Sequence, residues 1–132
     1  MTERRPIVPP GHEDAYRRYG FAPAFVVGDT VHVSGIIGRG PDGRVPNDER
    51  DEYDAIFRSL ADVLEAAGAS LADVVDLVSY HVDLHASLPA FVAAKAAALR
   101  EPYPAWTAIG CTALAAPGAH VELRATAVID RS

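Results

Sequence analysis

Glu122 is a carboxylate placed where it could do chemistry. It belongs to a terminal run, Val121-Glu-Leu-Arg-Ala125, of mostly small and apolar residues. In a cleft such a group is partly desolvated and can pass a proton to and from an attacking water. The competing role is an ion pair between subunits, for example with Arg124 of a neighbouring copy. Trp106 offers either a flat wall on which an unsaturated or cationic group would stack, or a plug filling a cleft. Lys95 is flanked by Ala93, Ala94, Ala96 and Ala97. If it reaches a cleft it supplies positive charge or an amine nucleophile; otherwise it is a solvated helix lysine.

Other candidates read more plainly. His81, Asp83 and His85 carry suitable metal donors, but no third histidine stands at strand or helix spacing and the group straddles a strand end. No metal is expected. Cys111 has no histidine near it in sequence and reads as an inert core thiol. The glycine-rich stretch from Gly35 to Gly43 lacks a phosphate-loop lysine and precedes its helix at the wrong distance, so it reads as a turn.

These residues need elements to hold them. Ala24-Phe-Val-Val27 and Thr30-Val-His-Val-Ser34 are β-rich runs separated by Gly28-Asp29, the spacing of a hairpin. Gly35 to Asn47 is a loop of turn formers, with room for one brief strand. Asn47 or Asp48 then caps a helix with Glu49, Asp51 and Glu52 in its first turn. Tyr53, Ile56, Phe57, Leu60, Val63, Leu64 and Ala67 form its apolar stripe, and Gly68 ends it. Asp73 to Val82 predicts a strand, and a second helix starts at about Ser87 with Pro89 in its first turn. Pro102 and Pro104 close that helix. Trp106 to Thr112 and His120 to Asp130 predict two more strands. In the last, Val121, Leu123, Ala125, Ala127 and Ile129 face one way and His120, Glu122, Arg124 and Thr126 the other. Residues 1–20 read as a solvated, partly irregular arm.

The order predicts an α/β (α+β) single domain over residues 1–132: one mixed sheet with two helices packed on one face. The opposite sheet face then needs a partner, and symmetric packing of copies into a ring supplies it. The chain has 132 residues, 49% hydrophobic and 23% charged, a globular composition. The N-terminus carries charge and proline and no apolar run fit for a signal or a membrane span, so a cytoplasmic protein without membrane partners is expected. One cysteine excludes an internal disulfide framework. A formal charge of -6 argues against nucleic acid as a partner, since tracking phosphates needs a dense basic array.

Several segments together resemble the RidA/YjgF family, also called the L-PSP endoribonuclease family. They are Asp29-Thr-Val-His-Val-Ser-Gly35, the helix end Leu64-Glu-Ala-Ala-Gly68, Asp73-Val-Val-Asp-Leu-Val-Ser79 and Val121-Glu-Leu-Arg-Ala125, all in family order from about Phe21 to Ile129. Pro102-Tyr-Pro-Ala-Trp-Thr-Ala-Ile-Gly110 is similar to the YjgH-like branch. The resemblance implies a chorismate-mutase-like fold, a homotrimer and small-molecule sites in clefts between subunits. Active members hydrolyse imines and enamines there without metal or organic cofactor.

The resemblance also assigns residues. Glu122 matches the family's site glutamate, and Ser34 and Gly35 its Ser-Gly motif. Trp106 stands where the family has a carboxylate-gripping arginine, which an indole cannot replace. Phe21 stands where a tyrosine is common, Ala108 where cysteine is frequent, and Lys95 near a site asparagine. The implied function is an imine or enamine hydrolase: Glu122 handles protons, Ser34 and the Gly35 amide hold a polar atom, and Trp106 with Phe21 shapes the pocket. The substrate is then one not selected for its carboxylate. A noncatalytic ligand-binding or partner-binding trimer is the alternative, and an endoribonuclease a third reading that acidity weighs against.

Overall fold

The computed structural model describes residues 2–131. The ends of the expected domain and arm, Met1 and Ser132, lie outside them. The strands are β1 (Arg4–Ile7), β2 (Ala24–Val27), β3 (Thr30–Ile37), β4 (Val74–His81), β5 (Ala105–Gly110) and β6 (Val121–Val128). The helices are α1 (Glu13–Tyr19), α2 (Glu49–Ala66) and α3 (Leu84–Ala98). The strands form one sheet in the order β1-β2-β3-β6-β4-β5. Only β4 and β5 run parallel, so the sheet is mixed as expected.

Each long element follows from its residues. Val27 pairs with Thr30 across Gly28-Asp29, and Gly28 takes a positive φ that a side chain would oppose. Asp48 caps α2 by accepting hydrogen bonds from the amides of Arg50 and Asp51. Tyr53, Ile56, Leu60 and Leu64 of α2 are almost wholly buried against the sheet. Full burial of each aliphatic side chain contributes about 1.5–3 kcal/mol, so Leu60→Asp would break this contact. Gly68 follows the last helical turn at φ +84, which ends the helix. In β6, Val121, Leu123, Ala125 and Ala127 are buried and face the helices; Ile129 lies past the strand and is half-buried.

Beyond end shifts of one or two residues in β4, β5 and β6, the structure departs from the sequence reading in three places. β3 continues through Gly35 to Ile37, so the brief strand within the stretch read as a loop is the end of β3, paired with β6. The arm is more regular than expected: β1 extends the sheet, and α1 follows with no buried residue. The second long helix starts at Leu84 rather than Ser87, so Pro89 sits inside it and not in its first turn. Its missing N–H removes one helical bond, to the carbonyl of His85, and that residue is exposed to water.

Candidate functional site

Adjacent residues on neighbouring strands point to the same side of a sheet, so register fixes which side chains can meet. Glu122 is flanked by Ile37 in β3 and Tyr80 in β4, and Tyr80 in turn by Ile109 in β5. All lie on the face away from α2 and α3. Trp106 is flanked by Leu77, and Leu77 by Ala125, both buried under the helices. Glu122 and Trp106 therefore project from opposite faces.

On the open face a hollow of about 520 Å³ is lined by Phe21, His32, Ser34, Gly35, Glu122 and Arg124, among others. Its floor is a break in the ladder. The β3–β6 register shifts between Val33 and Ile36, leaving Ser34 and Gly35 in a bulge opposite the Glu122 end of β6. Gly35 is needed for close approach, because a Cβ there would overlap the Glu122 carboxylate. The Ser34 hydroxyl donates to the carbonyl of Ala22 at 2.6 Å, and its amide to that of Pro23 at 2.9 Å. Ser34 thus ties the Phe21-Ala22 segment to the rim and keeps its hydroxyl oxygen as an acceptor. Four of the expected site residues, Phe21, Ser34, Gly35 and Glu122, come together here.

Trp106, Lys95 and Ala108 are not brought to this hollow within one chain. Trp106 and Ala108 lie on the helix-covered face of edge strand β5, both half-buried. The indole packs on Phe91 of α3, ring centres 5.9 Å apart. The ammonium of Lys95 stands 4.9 Å from the Trp106 ring centre and 5.7 Å from that of Tyr103, within cation–π range of both. Lys95 is therefore not a freely solvated lysine.

Behind the indole runs a buried polar chain. Trp106 Nε1 donates to Ser79 Oγ at 2.9 Å, Ser79 Oγ is 2.8 Å from His81 Nε2, and His81 Nδ1 is 2.7 Å from Ser87 Oγ. Burial pushes the His81 imidazole below its ordinary value, so the ring is neutral, with one donor and one acceptor nitrogen. Since the indole can only donate, one assignment satisfies every group. Ser79 accepts from Trp106 and donates to His81 Nε2. His81 Nδ1–H then donates to Ser87, whose hydroxyl also meets the buried Tyr53 side chain and lies 3.4 Å from the Leu84 carbonyl. His81, considered above as a metal donor, thus has both nitrogens engaged, while Asp83 and His85 are exposed. Cys111 is half-buried at the rim of the core rather than within it, its amide donating to the His81 carbonyl.

A second buried group also escaped the sequence reading. Glu52 of α2 has no exposed surface, and its carboxylate accepts from the His120 amide at 2.8 Å and from His120 Nδ1 at 2.7 Å. The first-turn position of Glu52 suggested only a helix-dipole role; its partner is 68 residues away in sequence. Ser79 and His81 carried a weak signal, since residues two apart on a strand share a face.

The sequence profile of a protein family described as Endoribonuclease L-PSP matches residues 13–129. RutC family protein YjgH of Escherichia coli (strain K12) is 33% identical over 116 residues, covering 87% of this chain and 88% of that protein. A 2-iminobutanoate/2-iminopropanoate deaminase of Dermatophagoides farinae is 31% identical over 112 residues, covering 83% and 86%. A solved structure of protein YjgH superposes with a TM-score of 0.86 at 31% identity, over 98% of this chain and 99% of that one.

Proposed function

We propose, from the premise that this chain belongs to the Endoribonuclease L-PSP or RidA/YjgF family, that it hydrolyses a small imine or enamine with Glu122 as the proton carrier. The single observation carrying this reading is the Glu122 carboxylate set over the Gly35 bulge in a hollow large enough for a small molecule. The similarity to an iminopropanoate deaminase supports the reaction class. In the reaction, water oxygen adds to the C=N carbon while the carboxylate takes a proton from that water. That proton passes to nitrogen and gives the carbinolamine; a second proton then moves from its hydroxyl to the nitrogen through the same carboxylate, the C–N bond breaks, and a carbonyl compound and ammonia leave. An enamine enters the same sequence after tautomerising to the imine, one proton moving from nitrogen to carbon. Neither metal nor redox partner is consumed in this balance.

The site is completed by a second copy. Because Trp106 and Glu122 point away from each other across one sheet, they share a cavity only if the β5 edge of one subunit meets the hollow of another. Val128 and Ile109 leave apolar surface exposed on the open face, which supports packing of copies there, and a closed trimer is the arrangement proposed. In that cavity Trp106 is a wall rather than a plug, its edge anchored on Ser79 and its face beside Lys95. An indole does not grip a carboxylate, so substrates with an aromatic or neutral side group are favoured over simple amino-acid-derived imines. An RNA substrate would need a basic track, and the chain has a net charge of -6.

The test is a panel of enamines generated in situ, some bearing a carboxylate and some neutral or aromatic, with release of the carbonyl product followed against the spontaneous rate. Acceleration of the neutral or aromatic members is expected. A rate equal to the spontaneous one across the panel would remove the reading.

A further inference from the structure

A second concave site lies away from Glu122. The loop that follows β3 and the turn that precedes β6 enclose a cleft of about 410 Å³, lined by Arg39, Arg44, Val45, Pro46, Pro117 and His120, among others. It shares no lining residue with the Glu122 hollow. Every charged or titratable side chain on its wall is a cation or an imidazole, in a protein whose net charge is -6.

The imidazole is held by a built support. The side chain of His120 is 56% exposed, whereas Glu52, its partner, is wholly buried. A carboxylate can only accept, so the 2.7 Å contact places the proton on His120 Nδ1 and leaves Nε2 as the free edge of the ring. Burying a carboxylate is costly unless it is paired, and here both oxygens are spent on one residue, one on its amide and one on its ring. The loop after β3 runs tight against this support, since a Cβ at Gly38 would collide with the Glu52 backbone carbonyl. Arg39 spends one N–H on the Gly43 carbonyl, while the Arg44 guanidinium makes no hydrogen bond or ion pair among the described residues.

We propose that this cleft binds a small phosphate-type oxyanion, held by Arg39, Arg44 and the Nε2 edge of His120. Donors from separate directions suit a tetrahedral anion better than a planar carboxylate, which takes a guanidinium side-on in a single plane. Nε2 makes its hydrogen bond in either protonation state: it donates to an ionised oxygen as imidazolium and accepts from a phosphate hydroxyl when neutral. The cleft exceeds the size of a bare ion, and Val45, Pro46 and Pro117 provide apolar wall beside it, which fits the organic part of a phosphate monoester.

The probe is inorganic phosphate, titrated calorimetrically into the full-length protein in a chloride buffer of fixed pH and ionic strength. Saturable binding is expected, weakened roughly tenfold or more by Arg44→Gln and by His120→Gln, the loss of one charge-assisted contact each. Arg131→Gln, a matched charge loss elsewhere, leaves it unchanged. Arg39→Gln and Arg44→Gln lie in an exposed loop and decide the matter even if His120→Gln fails to fold. No saturable binding by the wild type, equal affinity in the loop variants, or acetate competing as well as phosphate would each overturn the proposal.

Discussion

Glu122 and Trp106 stand on opposite faces of one sheet, the first flanked by Tyr80 on the open side, the second by Leu77 under the helices. That relationship separates the proposed proton carrier from the proposed aromatic wall within a chain. It makes the proposed chemistry depend on assembly.

Gly35 and Gly38 allow the local geometry to be tested by paired substitutions. Ala at 35 meets the far end of a flexible Glu122 side chain, which can swing aside, so Gly35→Ala should keep stability within about 0.5 kcal/mol. The same swing misplaces the carboxylate and should lower hydrolytic activity about 100-fold. Ala at 38 meets backbone that cannot yield, so Gly38→Ala should lose about 1–3 kcal/mol or more in urea denaturation.

Ser79→Ala should lower stability by about 1–3 kcal/mol, because it strips a partner from both the Trp106 indole and the His81 ring in a buried place. Trp106 is the one tryptophan in the chain, so its emission reports the site directly. A red shift on Ser79→Ala is expected, as the indole loses its anchor. An unchanged spectrum with unchanged stability would contradict the buried chain described above.

How much of this was legible in the sequence depends on what each residue faces. The period of apolar residues in α2 and the alternation in β6 mark burial on one side, and both elements are where the pattern puts them. β1 buries only Ile7 and α1 buries nothing, so neither leaves an apolar pattern to read. The start of α3 was obscured because alanine on every side gives the helix no stripe, and Asp83 caps it without a side-chain hydrogen bond. Strand register was likewise unreadable. Trp106 and Glu122 each suggested a site, yet whether they share a face follows from the pairing of β5 with β4 and β4 with β6, all of it long-range.

The depressed His81 pKa has a sign that can be checked. Burial lowers the folded-state value below the ordinary 6.5, so the unfolded chain binds the proton first as pH falls. Stability from this group is therefore complete above about pH 6.5 and declines below it until the folded ring also titrates. Denaturation midpoints for wild type and His81→Gln, followed from neutral to mildly acid pH, should converge on the acid side of that window. A constant gap between them would contradict a neutral buried ring.

Ile109 is 41% exposed on the open face, beside Tyr80. In the proposed assembly Ile109→Lys should convert the trimer to monomer by light scattering without changing the far-UV spectrum, since the charge faces water in the free chain. Hydrolysis should disappear with the assembly. A wild-type protein that is itself monomeric would refute the shared cavity.

The central claim is that Glu122 carries the proton. Its most direct test is the rate of carbonyl release from the best enamine substrate by wild type and by Glu122→Gln, a swap that keeps size and hydrogen-bonding reach while removing the base. A fall of about 100-fold or more, with trimer and fold intact, is the predicted result. Equal rates would contradict the account.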